Sequence, residues 1–373
     1  MRILQVLAGF DERWGGPAKV VRELSARLSD RGHEVTIMAT NALPGGAQSD
    51  APLEATGSYA LETFGLDLAR PPYPSTALAR AVWTKAKHYD VAHLHGLFNL
   101  PVTSAALALS ARRVPYVVRT CGMLDQWSLT QKARSKRVYL RMLERGTLNR
   151  AARIQVSTPF EADEVAHLGL RTPIAVHPQG VAPPPRWEGE PPERPFVLFL
   201  SRIALKKGLV PLLRAFAQVA ARFPDHDLVI AGPDEFGHQA VVEAEARALG
   251  LGDRVRFPGM VRGADKGRLY GQASCFALTS HDENFGIVVI EAAQCGCPLL
   301  LTPGVGLASA VAEHGAGEIV DLEVNAIAEG LVRVLEKGRA AYAAQTRALG
   351  DAFHWDVRTE AIERMYADVL AGR

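Results

Sequence analysis

The sequence predicts an α/β protein built from two similar domains, each with parallel strands alternating with helices, and three observations carry that expectation. Short Val, Ile and Leu runs alternate with longer helical segments from Arg2–Leu7 onward, the pattern of strand–helix units feeding a parallel sheet. The rhythm breaks at Pro183-Pro184-Pro185 and Pro191-Pro192, where residues preceding proline avoid helix and the chain is held extended. It restarts at Phe196, and 373 residues are more than one ordinary core accommodates. The expected division is therefore a first domain over 1–182, a second over 183–353, and a closing helical segment over 354–373.

In order along the first half, candidate strands are Arg2–Leu7, Glu34–Ala39, Val91–Leu94, Tyr116–Arg119 and Ile154–Val156, with a helix from about Pro17 to Arg31 directly after the first strand. In the second half they are Phe196–Leu200, Asp227–Ala231, Val255–Phe257, Ser274–Thr279 and Pro298–Leu301. No short-period repeat or low-complexity tract interrupts either series, which excludes a solenoid. The start reads as a buried strand rather than a cleavable signal. The apolar stretch Leu97–Ala111 contains Asn99, Pro101, Thr103 and Ser104; a spanning helix needs roughly 20 mostly apolar residues, so a buried helix is expected.

Hydrophobic residues make up 48% and charged residues 22% of the chain, the balance of a soluble globular enzyme. A formal net charge of +2 points to no nucleic-acid partner. Cys121, Cys275, Cys295 and Cys297 lack metal-site spacing and suit a reducing compartment. A cytoplasmic setting is expected, with peripheral attachment to the inner face of a membrane as the alternative. Residues 1–180 carry 22 Lys+Arg against 15 Asp+Glu, a net of +7, and residues 181–373 carry 20 against 25, a net of −5. The excess gathers at Lys132, Arg134, Lys136, Arg137, Arg141, Arg145 and Arg150, with Glu144 the main opposing charge and Val138, Leu140, Met142 and Leu143 interleaved. The plainer reading is a solvated basic face. The sharper one is docking on an anionic membrane or lipid-linked acceptor, at about 1 kcal/mol per basic residue near the surface.

Four segments carry chemistry. Gly15-Gly16-Pro17 opens a helix after the first strand; small residues let a ligand approach, and the helix N-terminus offers unpaired N–H groups to an anion. A structural turn explains it equally well. Asp90-Val-Ala-His-Leu-His-Gly96 ends a strand with His93 and His95. Their rings are expected on opposite faces, leaving His95, nearer the carboxyl edge, to enter a cleft. Ser201-Arg202-Ile-Ala-Leu-Lys206-Lys207-Gly208 puts cations between a strand and a helix, where an arginine fork and a compact lysine charge suit a diphosphate.

The fourth segment, Thr279 to Ala292, contains Glu283, Asn284-Phe285-Gly286 at a helix start, and Glu291 within an apolar run. Free N–H groups at the helix start can hold phosphate or sugar oxygens. A carboxylate in the apolar run demands a partner and can accept two ribose hydroxyls. As a glycosidase pair, Glu283 and Glu291 would be separated by about 12 Å of helix, beyond the roughly 5–9.5 Å such carboxylates require. A donor-binding pair fits better.

Together these segments resemble the large retaining glycosyltransferase family 4 (group 1), over nearly the whole chain. The Glu–seven residues–Glu spacing around Asn-Phe-Gly is the most specific part, followed by Arg202 with Lys207-Gly208. Ala231-Gly232-Pro233 and Phe257-Pro-Gly259-Met260-Val261 also match segments that line the donor nucleotide in such enzymes. Arg119-Thr-Cys-Gly122-Met-Leu resembles the exopolysaccharide branch, although that branch usually has proline where Thr120 stands.

The resemblance implies a GT-B fold: two Rossmann-like domains facing a central cleft, donor held mainly by the C-terminal one and acceptor by the N-terminal one. The final helix, from about His354 to Gly372, would cross back to the first domain. It implies that Arg202 and Lys207 bind the donor diphosphate, and that Glu291 holds the ribose. Glu283, with the backbone from Asn284 through Phe285 and Gly286 to Ile287, would hold the sugar. His95 would stand beside the reacting carbon, Gly15-Gly16 would close over the phosphates, and Gly232, Gly259 and Met260 would line the nucleotide. The implied reaction moves a sugar from a UDP- or GDP-linked donor to a saccharide or lipid-linked acceptor hydroxyl, with retained configuration and without cofactor or metal. No residue stands out as nucleophile or base. A donor phosphate oxygen would then take the acceptor's proton, while the cations stabilise the departing diphosphate. An epimerase built on the same fold and a non-catalytic nucleotide-sugar binder remain the alternatives.

Overall fold

The computed structural model describes residues 1–14, 16–43, 45, 47–49, 54–55, 57–131 and 133–372. The chain divides into two compact units, Met1–Gly180 together with the C-terminal segment from Trp355, and Val181–His354. The division falls just before the proline run.

Among the described residues, the first unit contains strands β1 (Arg2–Gly9), β2 (Glu34–Thr40), β3 (Ala60–Phe64), β4 (Val91–His95), β5 (Tyr116–Arg119), β6 (Arg153–Val156) and β7 (Ile174–Val176). They form one sheet in the order β3-β2-β1-β4-β5-β6-β7, parallel at every pairing. The strand order reverses between β1 and β4. A parallel sheet binds ligands at its carboxyl edge beside such a reversal, because the loops on either side diverge there.

The second unit repeats the scheme with β8 (Phe196–Leu200), β9 (Asp227–Ala231), β10 (Val255–Gly259), β11 (Cys275–Leu278), β12 (Leu299–Leu301) and β13 (Gly317–Ile319). Their order is β10-β9-β8-β11-β12-β13, again all parallel, with the reversal between β8 and β11. Every residue of β8, β9, β11 and β12 is buried, as helices on both faces of a parallel sheet require.

Helices follow from apolar spacing and local caps. Gly16–Asp30 buries Val20, Val21, Leu24 and Leu28 on one stripe. Leu100–Arg112 starts where Asn99 accepts the Val102 amide at 3.0 Å and Pro101 fits the first turn. It is largely buried, as the polar residues of that apolar stretch suggested. The expected C-terminal helix spans Trp355–Ala371 and buries Trp355, Ile362, Met365, Tyr366 and Val369. These side chains join Ile3, Leu7, Val21 and Leu24 in one core of the first unit. Gly180 permits that return: a Cβ there would fall 2.4 Å from the Trp355 ring.

Three strands escaped the sequence reading, β3, β7 and β13, and each is an edge of its sheet. Two are three residues long, and β3 (ALETF) is only half-buried. An edge strand is covered on fewer sides, so its apolar signal is weak.

Candidate functional site

At the carboxyl ends of β8 and β11, the two strands flanking the reversal, the second unit brings Arg202, Lys206, Lys207 and Glu283 into electrostatic reach of one another. Lys207 ends a short turn after β8 and is buried, and its ammonium is ion-paired with Glu283, which follows β11. Burial pulls the Lys207 pKa below the ordinary lysine value, opposed by the Glu283 carboxylate and reinforced by Lys206 and Arg202. A buried ammonium is little screened by solvent, so its attraction to an anion is stronger than at the surface. Glu283 is itself fixed by the backbone: its amide donates to the Gly304 carbonyl at 2.9 Å, and its carbonyl accepts from the Gly306 amide at 2.8 Å.

The surrounding loops interlock so closely that glycine is required at two points. At Gly208, φ is 63° and a Cβ would lie 1.9 Å from the Thr279 carbonyl oxygen. At Gly232, φ is 142° and a Cβ would lie 1.9 Å from the Ser201 carbonyl oxygen. The His281 amide bonds the Lys206 carbonyl at 2.8 Å, and the Gly232 amide bonds that of Gly259 at 2.8 Å. Arg202, Gly232 and Gly259 thus stand on adjacent loops of one edge. Arg202 is half-exposed and ion-paired with Glu235, an arrangement that surface solvation makes easy to exchange for another anion. Met260, just past β10, is 54% exposed.

Glu283 is not on the helix that contains Glu291. The chain from Thr279 to Gly286 is loop, Gly286 turns it at φ 83°, and the helix runs Ile287–Gln294. Helical rise alone therefore does not set the Glu283–Glu291 separation. Glu291 is buried, and the partner its burial demands is double. Its carboxylate accepts the Tyr270 hydroxyl at 3.0 Å and is ion-paired with Lys266, both from helix Gly263–Gln272. Burial, with the Glu291 charge adding to it, drives the Tyr270 hydroxyl pKa far above its ordinary value, so it remains a donor. Sequence reasoning missed Lys266 and Tyr270; only the rule that a buried carboxylate needs partners pointed to them. Phe285 is in the core, with its ring 5.9 Å from that of Phe353. Only its backbone can serve a ligand.

In the first unit, a cavity of about 650 Å³ opens at the carboxyl ends of β1 and β4. Its wall includes Trp14, Tyr73, Phe98, Tyr139, Met123 and His95. Trp14 meets Tyr73 edge-on at 5.7 Å, and Phe98 meets Tyr139 edge-on at 6.1 Å. Tyr73 and Phe98 sit at φ 56° and 57°, a conformation that costs a bulky residue about 1–3 kcal/mol. Lys136 donates to the Ser128 carbonyl at 2.5 Å and hydroxyl at 2.9 Å.

His95 is at this cavity, and His93 is not on the opposite face: the two rings lie 4.2 Å apart. The expectation of divergent rings fails because side chains alternate with period two, so residues two apart share a face. His95 Nε2 is 2.6 Å from Gln5 Oε1, and His93 Nδ1 is 2.7 Å from the Tyr366 hydroxyl. Burial drives both pKa values down, that of His93 to about 3 and that of His95 well below its ordinary value, with Arg119 adding to each.

Gly16 begins its helix with no atom within 4 Å of a Cβ, so the turn itself does not require glycine there. Gly15 and Lys132 lie outside the described residues. Arg134, Arg137 and Arg141 are exposed beside Val138, Met142 and Leu143. Glu144, expected to oppose them, is buried and accepts from the Phe98 amide at 2.9 Å and the Thr103 hydroxyl at 3.1 Å. Burial raises its pKa. Among the described residues no helix is long and apolar enough to cross a membrane.

Comparison with known proteins fits this geometry. Residues 15–180 match the glycosyl transferase 4-like domain, and residues 185–348 match the glycosyl transferases group 1 family. The chain is similar to the phosphatidyl-myo-inositol mannosyltransferase of Mycobacterium tuberculosis, 29% identical over 95% of this chain and 93% of that protein. It is also similar to D-inositol 3-phosphate glycosyltransferase 2 of Catenulispora acidiphila, 30% identical over 82% of this chain and 78% of that one. The solved structure of Anabaena HepE in complex with UDP and glucose superposes with a TM-score of 0.74 at 21% identity, covering 99% of this chain and 100% of that one. With both halves matched and a 30% identical relative spanning most of its length, the chain belongs to the group 1 glycosyltransferases and has the GT-B fold of two parallel-sheet, Rossmann-like units.

Proposed function

We propose that this chain transfers a sugar from a UDP- or GDP-linked donor to a hydroxyl of a saccharide or lipid-linked acceptor in envelope-glycan synthesis, with retention of configuration and without a metal. The observation that carries this reading is the pairing of buried Lys207 with Glu283 at the reversal point of the second sheet. A departing diphosphate is dianionic or more, and a preorganised ammonium stabilises that charge as it develops. Lys207 turns part of its charge from Glu283 to the diphosphate, with Arg202 released from Glu235 to assist. Glu283, freed in turn, accepts sugar hydroxyls together with backbone amides from Asn284 to Ile287. Glu291, held in place by Tyr270 and Lys266, keeps acceptor capacity for the ribose hydroxyls. Gly232, Gly259 and Met260 line the nucleotide, and Gly15-Gly16 close over the phosphates. His95 stands beside the reacting carbon, and the aromatic cavity of the first unit receives the acceptor. A donor phosphate oxygen takes the acceptor's proton.

The relatives' printed activities, on phosphatidyl-myo-inositol and D-inositol 3-phosphate, support an acceptor of the polyol or lipid-linked class; HepE was solved with UDP. A thermal-shift screen of UDP- and GDP-sugars, followed by product analysis with lipid-linked saccharides, tests the reading. Stabilisation by one donor, product of retained anomeric configuration, and a rate unchanged by EDTA are expected. Release of an altered free sugar without acceptor would identify an epimerase, and binding without turnover a sensor.

The basic segment supports a peripheral setting at the inner membrane face. Exposed Val138, Met142 and Leu143 lie among exposed arginines, while the carboxylate of Glu144 is turned inward. An amphipathic, cation-rich surface binds anionic lipid by burying its apolar side chains while its charges meet the headgroups.

A further inference from the structure

The C-terminal helix of the first unit does more than fill a core, because one of its side chains reaches the histidine pair. The Tyr366 hydroxyl is fully buried and lies 2.7 Å from His93 Nδ1 and 3.4 Å from Gln5 Nε2. Gln5, buried on β1, presents its other amide atom, Oε1, 2.6 Å from His95 Nε2. An amide carbonyl has no proton to give, so His95 Nε2 must carry one. An amide nitrogen has no lone pair to offer, so Gln5 Nε2 donates to the Tyr366 oxygen. The Tyr366 proton is then left for His93 Nδ1. The chain of bonds has one consistent direction, and it ends with the lone pair of His95 on Nδ1. That nitrogen is itself buried and has no hydrogen-bond partner among the described residues, and His95 is one of the residues lining the cavity, so a ligand reaches Nδ1 only where the wall opens towards it.

We propose that Gln5 and Tyr366 are positioning residues that hold His95 as its Nε2–H tautomer, leaving Nδ1 as an acceptor for a ligand hydroxyl. The inference rests on the reading above that His95 stands beside the reacting carbon. The opposite tautomer would put an N–H where a sugar hydroxyl has a proton to give, and would leave two acceptors, His95 Nε2 and Gln5 Oε1, face to face. The guanidinium of Arg119 lies in the same buried cluster, donating to Gln179 Oε1 at 2.7 Å. Its positive charge, added to burial, keeps both imidazoles neutral. The device therefore selects between two neutral forms rather than between charge states.

The test is long-range 1H–15N NMR of the full chain labelled at histidine, together with transfer kinetics and donor binding. Wild type is expected to show His95 with its proton on Nε2. Gln5→Leu should give a mixture of His95 tautomers and lower kcat about tenfold, the worth of one hydrogen bond, with donor Kd changed less than about twofold. Gln5→Glu supplies a carboxylate to accept from Nε2–H, so it should keep the proton on Nε2 while raising the His95 pKa, which the same spectra read against pH. Tyr366→Phe should loosen the tautomer without unfolding the chain, since only a hydroxyl is lost. An Nδ1–H wild type, or Gln5→Leu with an unchanged tautomer, overturns the relay. His95→Ala separates the two ideas: unimpaired transfer there overturns the placement of His95 itself, whereas impaired transfer with the wrong tautomer overturns only the relay.

Discussion

The carboxyl edges of the two sheets share a topology and differ in chemistry. Both lie beside a reversal of strand order, β1/β4 in one unit and β8/β11 in the other. The second edge is built around a buried cation facing a carboxylate, with glycines where loops touch. The first is built around neutral imidazoles and aromatic walls, with Tyr73 and Phe98 held in the left-handed region. Under the proposed function, charge stands where a diphosphate is to be held and then released. A hydroxyl acceptor needs shape and hydrogen-bond direction, which neutral groups supply. Reuse of one fold thus leaves the loops after the strands to decide which half handles charge.

The comparison breaks most easily at Lys207. Lys207→Met should lower kcat/KM by about 10²–10³-fold, the scale for removing one preorganised stabiliser of developing charge, and steady-state transfer assays check it. Arg202→Ala should cost less, because this half-exposed side chain already shares its charge with Glu235. Glu291→Ala should weaken donor binding by about 10–100-fold, as lost hydrogen bonds to a charged group do, while kcat at saturating donor changes little; titration calorimetry reads the first and transfer kinetics the second.

The first unit should reveal its neutral histidines through pH. His93 has a folded pKa of about 3 against an ordinary 6.5, so the unfolded chain binds more protons between those values. Its stabilising contribution is whole above pH 6.5 and is lost as pH falls towards 3, at up to about 1.4 kcal/mol per pH unit. Denaturant melts from pH 7 to 4 should show that slope, and His93→Gln should reduce it, with His95 accounting for part of what remains. A slope unchanged by the substitution would remove His93 as its source. Membrane attachment is read separately, at the basic segment. Reversing Arg134, Arg137 and Arg141 should reduce sedimentation with anionic vesicles at low salt, by about 1 kcal/mol per charge, and unchanged binding would leave it an ordinary solvated face.

The architecture was legible where burial was complete. Tyr116–Arg119, Phe196–Leu200 and Asp227–Ala231 were read to the residue because both faces of a central parallel strand are apolar. Edge strands β3, β7 and β13 carry half that signal or are too short to show it. In the site, motif residues after β8 and β11 were readable, but the Lys207–Glu283 pair was not, since strand adjacency across a reversal is a tertiary fact. Lys266 and Tyr270 were hidden in the same way. Gln5 and Tyr366 are separated by 361 residues, so nothing local in the sequence joins them to His95. The misplacement of His93 was different in kind, since strand periodicity alone already puts it on the His95 face.

Titration of UDP and GDP into wild type, Lys207→Met and His95→Ala, run side by side by calorimetry, tests most directly the assignment of the nucleotide to the second unit. Wild type and His95→Ala should bind one of the two nucleotides with affinities within about threefold, and Lys207→Met should bind it at least about tenfold more weakly. Full affinity in Lys207→Met, with binding lost in His95→Ala, would contradict that assignment.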